Sequence, residues 1–430
     1  MSATTITAVS SWEALDSRGR PTVAARVMLA GGAAGIALVP SGASAGSHEA
    51  VELRDGGPRY AGRGVRTAVA NVSTTLAGLV IGRDAGSVDE VLGGADESPL
   101  FATVGANAVL AVSLAAARAD AAAAGVSLAR RLAGQDAPLL LPMPMVNVIS
   151  GGAHAGGALD VQDFLAVPVG ATCFAEAIEW AAAVRDGATW LALSRGDRQA
   201  VLVADEGGLG LALGANRAAL DLLTAAIEAA GLAPGTDVAI AVDVAATEFY
   251  TDGRYRLACE RRDLSAADLI AEIAGWCDKY PIVSIEDIVA EDDWNAWKHA
   301  TDVLGHRVEL VGDDLFVTQA ARLRRGIDAG VANSVLVKVN QNGLLSGARA
   351  VLDLAHASGY RTVVSARSGE TEDSWLADLA VGWRAGQIKV GSTHRSERTA
   401  KWNRLLELEA TERTTFAGPW PDGRPWKETP

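Results

Sequence analysis

The sequence predicts an α/β protein whose C-terminal part is a β/α barrel, and three observations support this prediction. The chain has 430 residues, which exceeds the ~250–300 residues at which one hydrophobic core stops growing, so we expect two domains. In the C-terminal two thirds, short runs rich in Val and Ile alternate with helical stretches, which is typical of βα units and a parallel sheet. Each run ends in a charged residue, as expected where a β/α barrel presents an active site.

The N-terminal part has a different texture. It mixes short strand-like runs, Thr22–Leu29 and Gly35–Val39, with Ala-rich helical stretches, of which Asn107–Ala124 is the clearest. The small apolar residues around this helix predict close packing. The segment Gln135–Pro144 contains three prolines, and we therefore place the domain boundary there, between residues 1–135 and 136–430.

Six apolar runs mark predicted barrel strands: Asp237–Val242, Ile282–Ile285, Val308–Val311, Ser334–Val337, Thr362–Ser365 and Gln387–Ile388. The charged residues at their ends lie 22 to 43 residues apart, close to one βα repeat in most cases: Asp243, Glu286, Asp313, Lys338, Arg367 and Lys389. One polar residue at the end of a strand usually means only that the strand reaches the surface. Six in succession favour a site at the C-terminal ends of the strands.

Composition and charge argue against several classes of protein. Apolar residues make up 49% and charged residues 21% of the chain, which is globular rather than disordered composition. The net charge of −14 argues against a nucleic acid or an anionic membrane as the main partner, although a few local cations can hold a small anionic substrate. We expect no membrane span of ~20 residues and no secretory signal. Three widely spaced cysteines fit a protein of the reduced cytoplasm.

Three of the strand-end residues are carboxylates. Asp243, Glu286 and Asp313 would face one another across the barrel mouth, where each raises the pKa of the others. A hard divalent cation relieves this repulsion, and ligands that are all oxygen favour Mg²⁺ over zinc. The alternative is an acidic surface cluster, because further acids lie nearby: Asp287, Glu291, Asp292, Asp293 and Asp314. The spacing alone leaves both interpretations open.

Other residues are candidates for proton transfer. Only six of the 38 basic residues are lysines, so each lysine is a candidate for a task that arginine cannot perform, such as giving up a proton. Lys338 lies one strand beyond Asp313 and is a candidate base near a metal site; the alternative is a salt bridge to one of the acids. Glu206 lies beside glycines that permit close approach to a ligand, and the Gly-rich segment Ser41–Glu49 is a candidate lid.

Nine segments in order resemble the motifs of the enolase family, and the match covers nearly the whole chain. They are Asp16–Val23, Ser41–Asp55, Gly151–Phe164, Ala204–Gly208, Ser284–Trp294, Gly312–Thr318, Lys338–Gln341, Arg367–Asp373 and Gly386–Glu397. The resemblance implies an N-terminal α+β capping domain followed by a modified β/α (TIM-like) barrel. It also implies a homodimer or a higher homo-oligomer.

The resemblance implies two Mg²⁺ ions per site. Asp243, Glu286 and Asp313 match the ligands of the first ion, and Ser44 matches a lid serine that helps to bind the second. Positive charge there stabilises the dianion that forms when a proton beside a carboxylate is removed.

The resemblance also implies roles for catalytic and substrate-binding residues. Lys338 matches the base that removes this proton, and Glu206 matches the acid that assists departure of the hydroxide. The substrate contacts that it implies are Arg367 and Ser368 for phosphate, Lys389 for the carboxylate, and His154, Gln162 and Asp163 in the pocket.

Several positions depart from the family pattern. Ala366 stands where the family has a histidine, and Asp163 stands where it usually has a glutamate. Smaller departures are the missing Ala-Pro-Asn after Glu206 and substitutions in the lid and two other motifs: Ala45 for threonine, Ala204 for glycine and Asn342 for isoleucine. The half of the site that abstracts the proton therefore looks complete, whereas the half that handles the leaving group looks remodelled.

Three functions are compatible with this pattern. The first is an enolase that removes water from 2-phosphoglycerate or a close analogue to give a phosphoenolpyruvate-type product. The second is a paralogue from phosphonate natural-product biosynthesis that makes carboxyphosphonoenolpyruvate, in which Ala366 and Asp163 leave room for a bulkier or more acidic group. The third is an inactive binding protein, against which Lys338, Glu206 and the three carboxylates argue.

Overall fold

An antiparallel sheet opens the N-terminal domain. The computed structural model describes residues 2–42, 46–134 and 138–418. Strands β1 (Ile6–Leu15), β2 (Pro21–Leu29) and β3 (Ala34–Leu38) form a three-stranded meander. The helices that follow are α1 (Arg66–Asn71), α2 (Ala77–Val80), α3 (Val88–Leu92), α4 (Ala106–Ala123) and α5 (Leu128–Ala133).

Helix α4 packs directly against this sheet. A Cβ at Gly35 of β3 would lie 2.1 Å from the carbonyl oxygen of Ala115, so only glycine permits this approach of strand and helix. The close packing that the sequence predicted is thereby confirmed. By length and composition alone α4 is a candidate membrane span, but most of it is buried inside the protein.

The C-terminal part contains the remaining elements. Its strands are β4 (Leu139–Leu141), β5 (Met143–Ser150), β6 (Asp163–Val167), β7 (Leu209–Gly210), β8 (Ala239–Asp243), β9 (Tyr250–Thr251), β10 (Arg254–Leu257), β11 (Arg262–Leu264), β12 (Ile282–Glu286), β13 (Glu309–Gly312), β14 (Ser334–Val337), β15 (Arg361–Ser365), β16 (Gly386–Gly391) and β17 (Thr414–Phe416). Its helices are α6 (Phe174–Ser194), α7 (Asn216–Ala229), α8 (Ala266–Lys279), α9 (Trp294–Leu304), α10 (Ala320–Ala329), α11 (Val339–Asn342), α12 (Leu345–Ala357), α13 (Trp375–Gly382) and α14 (Ser396–Thr411). Strands β9 to β11 form a separate small sheet after β8, and barrel strands alternate with helices from α8 onwards, as the sequence predicted.

Eight strands close into a barrel in the order β5, β6, β8, β12, β13, β14, β15 and β16, and β16 pairs back with β5. Strand β6 is antiparallel to both neighbours, whereas the other neighbouring pairs are parallel. The predicted fold class, a modified β/α barrel after a smaller α+β domain, is confirmed. Because β6 runs in reverse, its first residue, Asp163, lies beside Asp243 at the same end of the barrel as the predicted site.

Two barrel strands, β5 and β6, were not predicted from the sequence. The Pro-rich segment expected to break the pattern instead contains β4 and the start of β5, where Pro144 pairs with Ile388. Proline is rare in the interior of a sheet because it lacks a backbone N–H donor, which is why the segment looked like a linker. Residues 135–137 lie outside the described residues, and the boundary after residue 135 stays a prediction.

The N-terminal domain contacts the loop that follows β15. The Trp375 indole donates to the carbonyl of Leu38 at 3.1 Å, and Arg118 pairs with Asp373 at 2.7 Å. Ser41 forms a β-bridge with Gly369. This loop contains Arg367 and Ser368, so the domain interface also fixes the backbone beside two predicted substrate contacts.

Candidate active site

Asp243 and Glu286 end adjacent strands and come together on one lysine. They are register partners on β8 and β12, and the Lys389 ammonium donates to Asp243 at 2.6 Å and to Glu286 at 2.7 Å. Burial raises the pKa of Glu286 well above its usual range, and the charge of Asp243 adds to this shift. Burial alone would lower the pKa of Lys389, but the two carboxylates raise it well above its usual value. Lys389 is therefore the internal counter-ion of this pair.

Asp313 pairs with a different lysine. It follows β13, and its Oδ2 accepts a hydrogen bond from Lys338, which follows β14. Burial favours the neutral form of each group, but their mutual attraction prevails, so the pKa of Asp313 is lowered and that of Lys338 is raised. The strand-end residues thus lie at one mouth of the barrel, with the acids on or after the successive strands β8, β12 and β13 and the bases on or after β14, β15 and β16.

The donor set at this mouth fits a hard cation. Asp243, Glu286 and Asp313 are buried and all offer oxygen, which favours Mg²⁺. In this structure Lys389 and Lys338 balance the negative charge of the three carboxylates. Among the described residues, several other groups of three side chains have ligand atoms that all lie within 4.8 Å of one another. The ligand atoms of Asp243, Glu286 and Asp313 do not meet this limit. Ser44, the predicted ligand of a second ion, lies outside the described residues.

One of those tight groups has a structural explanation. Asp287, Asp313 and Asp314 lie close together because the Asp287 carboxylate accepts the backbone N–H groups of Asp313 at 3.0 Å and Asp314 at 2.8 Å. Asp287 therefore fixes the turn after β13. It orients the Asp313 side chain toward Lys338 rather than adding a ligand.

A second tight group joins His154, Asp163 and Glu206. His154 Nδ1 lies 2.9 Å from Asp163 Oδ2, and its Nε2 lies 3.7 Å from Glu206 Oε1. Burial opposes protonation of His154, yet the two carboxylates raise its pKa to about 9. Burial would also raise the pKa of Glu206, but His154 and Arg398 lower it below the usual value. At neutral pH the proton of this group therefore resides on His154.

A small cavity of about 30 Å³ lies at the centre of the mouth. The residues of the predicted site that line it are His154, Gln162, Glu206, Asp243, Lys338, Arg367, Ser368 and Lys389, and Ala366 lines it as well. Asp163, predicted as a substrate contact, is instead behind His154, where it also accepts from Asn147 at 2.5 Å. The shorter carboxylate thus supports the imidazole in this structure, and a direct contact of Asp163 with substrate stays a prediction.

Four further residues of this site had no role assigned from the sequence. Arg398 is fully buried, donates to the carbonyl of Arg367 at 2.7 Å and lies 4.0 Å from Glu206. Glu49, Asn340 and Gln341 surround Arg367 and Asp313. The last three lie within motifs that carried the family resemblance, so that resemblance was the available signal. Arg398 had no comparable signal, because its contacts depend on how α14 packs.

The pKa of His154 predicts a pH dependence of stability in the metal-free protein. Since folding raises this pKa from 6.5 to about 9, the stabilisation is fully present below about pH 6.5 and is lost as the pH rises through 9. We expect roughly 3 kcal/mol of folding free energy to disappear across this window. Urea unfolding of the wild type and of His154→Gln measures it, and the two curves should converge above pH 9.

Nuclear magnetic resonance gives a direct control for this prediction. Of the six histidines, one imidazole should titrate near pH 9, and this signal should be missing from His154→Gln. Six imidazoles that all titrate near or below pH 7 would contradict the assignment of the proton to His154.

The chain matches two family models that together span most of its length. The model described as the enolase N-terminal domain matches residues 6–132. The model described as the enolase C-terminal TIM barrel domain matches residues 138–420. Their order agrees with the α+β domain and the closed barrel of the structure. The chain therefore belongs to the enolase family of lyases.

Proposed function

We propose that the protein is a Mg²⁺-dependent lyase that eliminates water from 2-phosphoglycerate or a close analogue to give a phosphoenolpyruvate-type product. The observation that carries this proposal is the shared cavity of Lys338 and Glu206, the candidate base and acid. Lys389 and Arg367 line the same cavity and supply positive charge for a small anionic substrate that carries a carboxylate and a phosphoryl or phosphonyl group. The three cysteines are free, which supports a cytoplasmic location.

Lys338 can act as the base once Asp313 has another partner. In the present arrangement the Asp313 carboxylate holds the proton on Lys338. When Asp313, Asp243 and Glu286 serve as metal ligands, burial dominates at Lys338 and lowers its pKa, which favours the neutral amine. Enolase-family proteins generally bind Mg²⁺, and the bound ion would supply positive charge for the substrate carboxylate as its adjacent proton leaves.

The opposite side of the cavity would supply the proton for the leaving hydroxide. His154 carries a proton at neutral pH and lies 3.7 Å from Glu206. Glu206, which is ionised in this arrangement, can take up that proton and pass it to the leaving oxygen. Removing the proton at one side and protonating the hydroxide at the other completes β-elimination of water.

Deuterium exchange separates these two roles. With 2-phosphoglycerate and Mg²⁺ in D₂O, Lys338→Ala should lose exchange at C2, because both exchange and elimination need the base. Glu206→Gln should keep exchange and lose elimination by about 10²–10⁴-fold, the usual contribution of a positioned acid. Mass spectrometry of the recovered substrate measures exchange, and ultraviolet absorbance of the enol product measures elimination.

Two further variants control this experiment. Lys298→Ala removes an exposed lysine of α9 that pairs with Asp302 one turn further along the same helix and should leave both rates unchanged. Asp313→Ala should weaken Mg²⁺ binding in calorimetric titration and lose both reactions. A similar loss of exchange in Lys338→Ala and Glu206→Gln would refute the division between base and acid.

The paralogue remains the second candidate because of Ala366. Its side chain lines the cavity where the family places a histidine. Of the two histidines that are candidates to replace it, His48 is exposed and pairs with Asp292 at 3.2 Å, whereas His154 lies in the cavity. The space beside Ala366 is about 30 Å³, so the substitution does not open a large pocket in this structure. A larger cavity of about 320 Å³ lies on another side of Arg367.

Steady-state kinetics distinguishes the two candidates. We expect turnover of 2-phosphoglycerate at least ~100-fold below an ordinary enolase, because one positioned polar group is missing, and we expect Ala366→His to increase it. A wild-type kcat of roughly 10–10³ per second with 2-phosphoglycerate would refute the hypothesis of a paralogue and support that of an ordinary enolase.

We also propose that the protein forms a homodimer through an exposed apolar face. Large apolar side chains from the end of α6 and the following loop are exposed, including Trp190 at 64%, Val201 at 69% and Leu202 at 66%. Leu15 at the end of β1 is 54% exposed, and Arg395 connects the two regions by donating to the carbonyls of Ser17 and Asp205. An apolar face that includes both domains favours a second copy of the chain as its partner.

Sedimentation velocity tests this dimer. Trp190→Glu should produce monomers, because it places a charge within the proposed apolar interface. Ile81→Glu is the matched control, since Ile81 is 48% exposed but follows α2, near the start of β1. A monomeric wild type, or equal dimerisation of both variants, would refute the proposed interface.

A further inference from the structure

Glu49 is a buried carboxylate with an unusual number of partners at the edge of the candidate site. Its side chain is 9% exposed. It accepts hydrogen bonds from Arg367 Nη1 at 3.0 Å, Arg367 Nη2 at 3.2 Å, Gln341 Nε2 at 3.2 Å and the backbone N–H of Gly46 at 3.0 Å. Four donors on one carboxylate give it a single well-defined orientation.

The backbone around Glu49 is anchored to the barrel. The N–H of the next residue, Ala50, donates to the carbonyl of Gln341 at 2.9 Å. The Gln341 side chain is fully buried and donates both to Glu49 and, at 3.0 Å, to Asp313 Oδ1. Glu49 is thus a fixed part of the site rather than a mobile surface acid.

Arg367 separates two cavities, and Glu49 contacts it from one of them. Glu49 and Asn340 line the larger cavity of about 320 Å³, and both accept hydrogen bonds from Arg367. The smaller cavity, lined by Arg367 with Lys338 and Glu206, is on another side of the guanidinium. The two acceptors therefore hold Arg367 from behind while it faces the predicted reaction centre.

We infer that Glu49 is a positioning residue that orients the Arg367 guanidinium toward the phosphorus-bearing group of the substrate. This inference rests on the proposed function, in which Arg367 binds that group. A bidentate carboxylate fixes the plane of a guanidinium, so the ordering of Arg367 is completed before substrate arrives. Without Glu49, the nearby Asp313 charge, which already stabilises Arg367, would draw the guanidinium away from the substrate.

Two physical effects of Glu49 oppose each other. Its negative charge repels an anionic substrate, whereas its hydrogen bonds hold Arg367 in place. The repulsion is already reduced because Glu49 and Arg367 form a bidentate ion pair. Hydrogen bonds between charged groups are the strong ones, so orientation should dominate and anion binding should become weaker when Glu49 is neutralised.

Calorimetric titration with inorganic phosphate, in the presence of Mg²⁺, measures this effect without any turnover. Glu49→Gln should raise the Kd of phosphate by at least ~10-fold, which corresponds to about 1.4 kcal/mol. Glu49→Asp, which keeps the charge but is shorter, should give a smaller increase. Glu272→Gln is the matched control, because Glu272 accepts two hydrogen bonds of 2.9 Å from Arg262 and lines neither of these two cavities, and it should stay within about twofold of the wild type.

Kinetics and a double-mutant cycle distinguish positioning from a merely structural role. With 2-phosphoglycerate, Glu49→Gln should raise KM about as much as the phosphate Kd while kcat changes by less than ~3-fold. In an Arg367→Lys background the same substitution should have little effect, because its action depends on the guanidinium. Two outcomes would overturn the inference. One is that the losses of phosphate affinity in Glu49→Gln and Arg367→Lys add up in the double variant, and the other is that Glu49→Gln has a phosphate Kd equal to or below that of the wild type.

Phosphate binding and turnover of 2-phosphoglycerate, measured together, distinguish failure of this inference from failure of the proposed function. Phosphate binding that depends on Glu49 in a protein without 2-phosphoglycerate turnover would refute the proposed substrate and support the positioning role. If the wild type turns over 2-phosphoglycerate and Glu49→Gln has the same Kd for phosphate, the proposed function would stand and the positioning role of Glu49 would be refuted. A wild type that neither binds phosphate nor turns over would refute both.

Discussion

Burial of several carboxylates at one mouth of the barrel is the constraint on which the site depends. Removing such charges from water costs several kcal/mol each unless they are paired. The barrel meets this cost by placing lysines between acids, with Lys389 between Asp243 and Glu286 and Lys338 beside Asp313. Because each of these residues lies at or near the C-terminal end of a separate strand, the balance exists only when the barrel is closed.

The same requirement extends outward into a buried polar layer around the mouth. Asp287 holds the turn that carries Asp313, and Lys401, which is fully buried, pairs with Glu370 at 3.0 Å in the loop after Arg367. Breaking one partner of such a buried pair is far more costly than replacing both. The loops that carry the candidate substrate contacts are therefore held by charge pairs as well as by the N-terminal domain.

Much of this arrangement could be predicted from the sequence because β-strand ends in a barrel converge regardless of what lies between them. All six predicted runs are barrel strands. Strands β5 and β6 were missed, because Pro144 resembled a linker signal and the reversal of β6 follows from pairing between distant segments. Arg398 and Glu49 were also missed as site residues, because their importance lies in contacts between α14, the N-terminal segment and the barrel.

The distribution of lysines explains why a strongly Arg-biased chain keeps so few of them. Of the six, Lys338, Lys389 and Lys401 are in or directly behind the candidate site, and each contacts a carboxylate. Lys389 holds two carboxylates with one compact ammonium, where a planar guanidinium is larger and cannot be deprotonated in proteins. At Lys338 an arginine would be excluded for a further reason, since a base must be able to lose its proton. Where arginine would have met the physical need, as at Arg367, the chain uses arginine, so the retained lysines mark the positions at which the shape or the acidity of the cation matters.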